Sequence, residues 1–174
     1  EENFGFGPGT TTSLKGDVTY SNKYKHRILD ASPRVVDFLL YSRPSGWDTV
    51  DELAIRGFSK LTTVPKNAKT DRCICVEPDL NVFVQRGIGR LLRSKLLRSG
   101  LDLSDQSVNQ RLAQAGSLSD QLVTLDLSAA SDSISREAVW MMLPDRWSEL
   151  LYFARTDQYL DPTDGTVKTF HKWS

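Results

Sequence analysis

FSKLTTVPKNAKTDRCICVEPDLNVFVQRGIGRLLRSKLLRSG, residues 58–100, joins two strand-like runs to one long helix-like run. Pro65 ends the first run before a basic turn, and Pro78 closes the second, as expected for a residue that cannot donate to a sheet ladder. From Asp79, the predicted N-cap, apolar residues recur at helical spacing until Gly100, the predicted C-terminal stop. The order strand, turn, strand, helix predicts a mixed α+β fold.

The predicted helix carries two unusual features. Arg86, Arg90 and Arg93 recur at i, i+4 and i+7 and form one basic stripe, which could follow an RNA backbone or could equally be a solvated helix face. Gly87 and Gly89 each cost about 1 kcal/mol relative to alanine inside a helix. Either the helix is imperfect at these glycines or another part of the chain packs closely against them.

The rest of the chain continues the α+β pattern on both sides of this stretch. Ser32 and Pro33 suit the N-cap and the first position of a helix, whereas residues 3–17 are rich in Gly and Thr and predict a loop. The remaining predictions are a helix over 103–116 capped by Ser104 or Asp105 and ended by Gly116, a strand over 122–128, a helix from about Asp132 to Pro144, a helix over 146–156, and a hairpin that turns at Asp164 and Gly165.

The composition indicates a soluble globular protein, with 39% hydrophobic and 25% charged residues among 174. Its 22 basic and 22 acidic residues cancel, so nucleic-acid binding would depend on local patches.

No apolar run approaches the ~18 residues that a membrane span needs. Cys73 and Cys75 alternate on one strand and suggest core thiols in a reducing cytoplasm. Because the chain lacks an initiating Met and ends in a strand-like pattern, we expect a piece of a longer protein.

Two carboxylates stand out in VTLDLSAASDSIS, residues 123–135. If the chain stayed extended from Asp126 to Asp132, the two would lie about 20 Å apart at ~3.3 Å per residue. If it curls into helix after Ser128, six helical steps give ~9 Å, which suits opposite ends of one bound nucleotide. Asp126 could be a solvated strand end or a ligand of Mg²⁺, which prefers hard oxygen donors. Asp132 could be a helix N-cap, a ligand-binding group, or both.

Three basic side chains occupy the turn of the predicted hairpin, namely Lys66, Lys69 and Arg72. They could bind the triphosphate of a nucleotide, with lysine as a point charge and arginine as a bidentate fork. Solvated charges on a hairpin are the ordinary alternative. The residues alone do not decide between these two interpretations.

VPKNAKTDRCICVEPDLN, VNQRLAQAGS and VTLDLSAASDSIS together resemble the RNA-directed RNA polymerase, or replicase catalytic subunit, of the small positive-strand RNA bacteriophages called leviviruses. The resemblance extends from FGPG near the start to the final HKWS. It implies a fragment of a right-hand polymerase, with residues 1–118 as a fingers-like region and 119–174 as the start of the palm. The implied activity is template-directed synthesis of RNA from RNA by Mg²⁺-dependent nucleotidyl transfer.

The resemblance also implies roles for the carboxylates. TLDLSAASD is similar to polymerase motif A, which would make Asp126 a catalytic Mg²⁺ ligand aided by the Leu127 carbonyl. Asp132 would lie near the ribose of the incoming nucleotide, where such polymerases sense the 2′-hydroxyl.

Two further motifs follow from the same resemblance. PKNAKTDR resembles motif F, which would place Lys66, Lys69 and Arg72 along the phosphates of the nucleotide. Ser174 resembles the first residue of motif B, a loop that helps to read ribose and template. The implied partners are the RNA template and product, nucleoside triphosphates and host translation factors as replicase subunits, with no membrane, in the cytoplasm of an infected bacterium.

One departure from the family limits the expected activity. The Gly-Asp-Asp of motif C, which supplies the other metal-binding aspartates, is absent from the sequence. Since Asp126 alone cannot hold the two Mg²⁺ ions expected in a complete enzyme, we expect the fragment to be inactive by itself. The alternative is a non-catalytic RNA-binding module. A phosphatase-like metal enzyme is disfavoured because no second acid follows two residues after Asp126.

Overall fold

The computed structural model describes residues 4–14, 16, 18–26, 28–42 and 52–173. Ser174 lies outside the described residues, so its predicted motif B role has no structural account. The described helices and strands are, in chain order, α1 (Tyr20–Lys25), β1 (Ile28–Ala31), α2 (Pro33–Ser42), β2 (Glu52–Ile55), β3 (Phe58–Pro65), β4 (Asp71–Val76), α3 (Asp79–Arg98), α4 (Ser107–Ser119), α5 (Arg136–Met142), α6 (Asp145–Ala154), β5 (Gln158–Leu160) and β6 (Val167–Thr169), with one turn of 3₁₀ helix at Ser131–Ser133. The predicted α+β class is confirmed.

The strands form two sheets. β1 and β2 pair in parallel, and a four-stranded mixed sheet has the order β4-β3-β5-β6. The predicted hairpins at both ends of this sheet are confirmed, because β3 pairs antiparallel with β4 and β5 pairs antiparallel with β6. β3 also pairs in parallel with β5, so strands from before and after residue 118 share one sheet. The predicted boundary between 118 and 119 stays a prediction.

Helix α3 is the centre of the hydrophobic core. Leu80, Phe83, Val84 and Ile88 recur at helical spacing and are at most 7% exposed. Around them pack apolar side chains from the N-terminal loop, β1, α2 and α6, namely Phe6, Leu29, Ala31, Val35, Leu39 and Ala154. The 20-residue helix is therefore anchored along its first half by burial from several elements.

The glycines of α3 have separate explanations. Gly87 lies under the ring of Phe4, where an added Cβ would come within 2.4 Å of Phe4 Cδ1. Gly89 faces open space, with no atom within 4 Å of such a Cβ. Gly100 ends the helix as predicted, at a φ of +84°, and the Leu101 amide donates to the Leu96 carbonyl at 2.9 Å. That bond is the closing contact of a Schellman cap.

The prediction that Asp79 caps α3 is wrong by one position. Pro78 is the N-cap, and Asp79 is the first helical residue with no exposed surface. Its carboxylate accepts hydrogen bonds from the Thr11 hydroxyl and, at 2.9 Å, from the Asp30 amide. The side chain is turned inward because it satisfies donors of the N-terminal loop and β1, and a buried carboxylate requires such partners.

Local predictions for α4 and for Cys73 are also wrong, and the N-cap of α4 is Gln106 rather than Ser104 or Asp105. Gly116 does not end α4, which continues to Ser119 and closes at Asp120 with φ 53°. Gly116 instead lets the helix approach the following loop, since a Cβ there would meet the Leu122 carbonyl oxygen at 2.8 Å. Cys73 is an exposed thiol rather than a core thiol, while Cys75 is half-buried, and burial raises the pKa of Cys75. Among the described residues, none of the helices is both long and apolar enough to cross a membrane.

Candidate functional site

The segment 121–127, which carries Asp126, is not the strand that its sequence predicts. It is irregular and exposed throughout, with Leu125 at 83% and Leu127 at 75% exposure. A strand needs a neighbour for its amide and carbonyl groups, and neither sheet of the described residues includes this segment. The Asp126 carboxylate makes no hydrogen bond or ion pair with the part of the chain that is described, so its oxygens are accessible to a ligand.

After Ser128 the chain curls, as one of the two predicted geometries requires. Residues 128–130 form a turn in which Ala129 has a φ of 53°. The Ser133 amide then donates to the Ala129 carbonyl at 3.0 Å, and the Ser133 hydroxyl donates to the Ala130 carbonyl at 2.8 Å. Asp132 lies within the 3₁₀ turn that follows. The fully extended alternative between the two carboxylates is therefore excluded.

The prediction that Asp132 caps the next helix is wrong. The N-cap of α5 is Ser135, whose hydroxyl oxygen accepts a hydrogen bond from the Ala138 amide at 3.1 Å. Asp132 is instead held by an ion pair with the Lys172 ammonium. The helix consequently begins at Arg136 rather than near Asp132, and the Asp132 carboxylate is turned toward the C-terminal segment.

The C-terminal segment is attached to the entry of α5 by its backbone as well. Lys172 forms an antiparallel bridge with Ser135, and the Trp173 amide donates to the Ile134 carbonyl at 2.8 Å. Arg155, the C-cap of α6, contacts the same segment, since its Nη2 donates to the Lys172 carbonyl at 3.2 Å and its guanidinium carbon lies 5.0 Å from the centre of the Trp173 ring. Burial lowers the pKa of Arg155.

Glu77 lies at the junction of β4 and α3 and contacts Thr156, the residue after Arg155. The Thr156 hydroxyl lies within hydrogen-bonding distance of both of its carboxylate oxygens, at 3.0 and 3.2 Å. Burial raises the pKa of Glu77 to about 7, although the Thr156 hydrogen bond and the nearby Arg155 oppose this shift. A carboxyl with such a pKa changes its charge near neutral pH.

The basic turn between β3 and β4 is well formed and exposed. Lys66 donates its amide to the Thr70 carbonyl at 3.0 Å, and the Asn67 side-chain oxygen accepts from the amides of Lys69 and Thr70, both at 2.9 Å. Arg72 pairs in register with Val64 on the strand beside it. Lys66 and Lys69 thus project from a hydrogen-bonded turn, Arg72 projects from the start of β4, and all three are accessible to an anionic ligand.

The three arginines of α3 do not share one environment. Arg86 is half-buried against Gly7, where an added Cβ would lie 2.2 Å from its Nη1. Arg90 is exposed and donates to the Phe4 carbonyl at 3.3 Å. Arg93 is exposed. Two of the three therefore contact the N-terminal loop, and their predicted RNA-binding role stays a prediction.

Comparison with known proteins places these segments in a family. The family model for "RNA replicase, beta-chain" matches residues 5–174, which include the basic turn and the carboxylate segment. The chain belongs to this family. The resemblance predicted from the sequence motifs is confirmed.

Curated relatives agree with the family assignment of this chain. It is 44% identical to the RNA-directed RNA polymerase subunit beta of Enterobacteria phage SP, over 97% of the chain and 30% of that protein. The identity to the corresponding subunit of Escherichia virus Qbeta is 46%, over 97% and 28%. It is 57% to the RNA-directed RNA polymerase beta chain of Escherichia phage MS2, over 78% and 29%. The chain thus spans under a third of these relatives' lengths.

Two oxygen donors of the segment 126–127 are of the kind that a hard divalent cation prefers. Asp126 offers an exposed carboxylate without a described partner, and the next residue, Leu127, offers a backbone carbonyl on an exposed loop. Oxygen donors of both kinds suit Mg²⁺. Within the described ranges, no group of three or more His, Cys, Asp or Glu side chains is placed to hold a metal ion.

Sequence reasoning missed three residues that support the site, Lys172, Arg155 and Glu77. Lys172 lies 40 positions from Asp132 in the chain, and no local pattern links the two. Arg155 follows an ordinary amphipathic helix. Glu77 had the clearest available signal, because an acid directly after the apolar CICV run and before a proline is placed where a strand enters the core.

Proposed function

We propose that this chain supplies the nucleotide-binding part of an enzyme that synthesises RNA on an RNA template by nucleotidyl transfer, in phage genome replication. The observation that carries the proposal is the family match, which runs through the basic turn and the carboxylate segment alike. The curated relatives are named RNA-directed RNA polymerase subunits. In the proposed right-hand architecture, residues 1–118 belong to the fingers and 119–174 begin the palm.

Asp126 and the Leu127 carbonyl would hold catalytic Mg²⁺, with two ions in the complete enzyme. The bound metal would neutralise negative charge that develops on the phosphate. The accessible position of the Asp126 carboxylate supports this role, because a carboxylate already paired within the protein would have to lose that partner first. The chain itself contributes the turn after Ser128, which is closed by the hydrogen bond from the Ser133 amide to the Ala129 carbonyl.

The basic turn would bind the triphosphate of the incoming nucleotide and the departing pyrophosphate. Lys66 and Lys69 are exposed on a turn whose backbone is held by Asn67, and Arg72 is exposed on the adjoining strand β4, so charge is presented with little loss of backbone freedom on binding. The 3′-hydroxyl of the growing RNA would attack the α-phosphate while these cations bind the leaving group. Asp132 would accept a hydrogen bond from the ribose, with Ser174 on the motif B loop.

Further partners belong to the same proposal. Arg86, Arg90 and Arg93 would lie along the RNA template or product. Host translation factors would join the replicase in the cytoplasm of the infected bacterium. The 174 residues alone would not polymerise, because Asp126 provides one carboxylate where two Mg²⁺ ions need more ligands. Primer extension by the isolated chain would contradict this last point.

The test is Asp126→Ala in the full-length replicase that contains this chain. We expect RNA synthesis to fall at least about 1,000-fold, as on losing a major transition-state interaction, while binding of a primer-template RNA stays within about twofold. The matched control is Asp37→Ala, which removes an exposed aspartate of α2. Normal elongation by Asp126→Ala would remove the metal role and would favour the non-catalytic RNA-binding module.

A further inference from the structure

Lys172 is the side chain that directly contacts the Asp132 carboxylate in the described structure. Its ammonium pairs with Asp132 Oδ1. The other carboxylate oxygen, Oδ2, has no hydrogen bond from the described residues. An ionised carboxylate only accepts hydrogen bonds, and a ribose hydroxyl can donate one. The pair therefore leaves one acceptor oxygen of Asp132 available to a sugar.

The position of Lys172 does not depend on this ion pair alone. Its backbone bridges to Ser135, its carbonyl accepts from Arg155 at 3.2 Å, and the next amide, of Trp173, donates to Ile134 at 2.8 Å. Stacking of Arg155 on Trp173, 5.0 Å from guanidinium carbon to ring centre, adds a further contact. The lysine thus projects from a segment that is attached to Arg155, the C-cap of α6, on one side and to the entry of α5 on the other.

We propose that Lys172 is a positioning residue for nucleotide selection, which orients the Asp132 carboxylate so that Oδ2 meets the ribose of the incoming nucleotide. The inference rests on the proposed role of Asp132 and adds the residue that sets its geometry. Without Lys172 the aspartate can rotate about its side-chain torsions, so a 2′-hydroxyl gains less from it. Discrimination against 2′-deoxynucleotides then weakens.

The ion pair itself contributes little to folding. The Lys172 and Asp132 side chains are 41% and 57% exposed, and exposed pairs are worth little because water and salt screen them. Loss of the ion pair is therefore expected to change the selectivity between ribonucleotides and 2′-deoxynucleotides rather than the stability of the fold. Lys168 provides a matched comparison, since it is equally exposed and pairs with Asp161 and Asp164 inside its own hairpin.

The experiment compares Lys172→Met, Lys172→Arg and Lys168→Met in the full-length replicase. At a single templated position, kcat/KM is measured for a ribonucleotide and for its 2′-deoxy analogue. The ratio of the two values is the readout, and inactive or misfolded molecules cancel from it. We expect Lys172→Met to lower this ratio about tenfold, the size expected for loss of one well-oriented charge-assisted hydrogen bond. Lys172→Arg should restore most of it, and Lys168→Met should leave it unchanged.

Two further variants separate failure of this inference from failure of the proposed function. If Asp126→Ala abolishes synthesis and Asp132→Ala lowers the ratio, but Lys172→Met keeps the wild-type ratio, the positioning role is wrong. If Asp132→Ala also keeps the wild-type ratio, the ribose-reading role fails and the inference falls with it. If Asp126→Ala synthesises RNA normally, the proposed metal role is what fails. An equal loss of ratio in Lys168→Met would also overturn the assignment, because it would show a general charge effect.

Discussion

Asp79 and Asp126 are the same residue type in opposite surroundings. Asp79 has no exposed surface and accepts hydrogen bonds from two parts of the fold, the Thr11 hydroxyl and the Asp30 amide. Asp126 lies on an exposed loop and makes no described polar contact. The Asp79 carboxylate is therefore satisfied inside the fold, whereas the Asp126 carboxylate, on the exposed segment 121–130, has no partner among the described residues and is accessible to a ligand.

The largest expected effect on stability comes from removing the buried carboxylate of Asp79. Asp79→Ala would leave the Thr11 hydroxyl and the Asp30 amide unpaired in the core, at roughly 1–3 kcal/mol for each unsatisfied group. We expect the free energy of unfolding to fall by about 4 kcal/mol, as measured by urea denaturation of the 174-residue chain. Asp126→Ala should change it by less than about 0.5 kcal/mol. Equal losses in the two variants would contradict the comparison.

Glu77 is a third case, a half-buried acid whose charged form is disfavoured by burial. Its pKa of about 7 in the folded chain lies above the value of 4.5 expected for an ordinary glutamate. Between these two pH values the folded chain binds more protons than the unfolded chain, so its stability falls as the pH rises. The part of the free energy of unfolding that comes from protonated Glu77 is fully present below about pH 4.5 and is lost as the pH rises through about 7.

Glu77→Gln mimics the protonated form and should remove this pH dependence. We expect the variant and the wild type to have similar stability near pH 5, and the variant to be more stable by up to about 3 kcal/mol at pH 8. Urea denaturation across that range measures the difference. Glu149→Gln, which changes an exposed acid of α6, is the control and should follow the wild type. Parallel curves for Glu77→Gln and the wild type would contradict the prediction.

A smaller effect on stability is expected from adding a methyl group at the two glycines of α3, one packed against Phe4 and the other facing open space. Gly87→Ala should destabilise the chain by about 2 kcal/mol, because the added methyl group would displace the Phe4 ring from its contact and overpacking outweighs the better helix propensity. Gly89→Ala meets no atom within 4 Å and should stabilise it by up to about 1 kcal/mol. The pair is measured by thermal unfolding of the 174-residue chain. The same sign for both would show that Phe4 does not pack against α3.

Local patterns predicted most of the regular elements correctly. The β3 and β4 hairpin, the long helix α3 with its end at Gly100, and the hairpin at Asp164 and Gly165 all depend on neighbours in the sequence. Turn residues, caps and hydrophobic periodicity act over a few positions, so the sequence contains their causes. The family resemblance, confirmed over 5–174, likewise came from contiguous motifs.

The sequence by itself determined the α+β class, the hairpins and the central helix, and it predicted the candidate site residues, whose roles stay predictions. Only the tertiary structure decided that Asp79 is buried rather than a cap, and that Ser135 rather than Asp132 caps α5. It also decided that segment 121–127 is exposed and that Lys172 reaches Asp132. The contacts of Asp79 with Thr11 and of Lys172 with Asp132 join residues 68 and 40 positions apart in the chain. A carboxylate has the same local propensities wherever it stands, and its role is set by the donors that folding brings beside it.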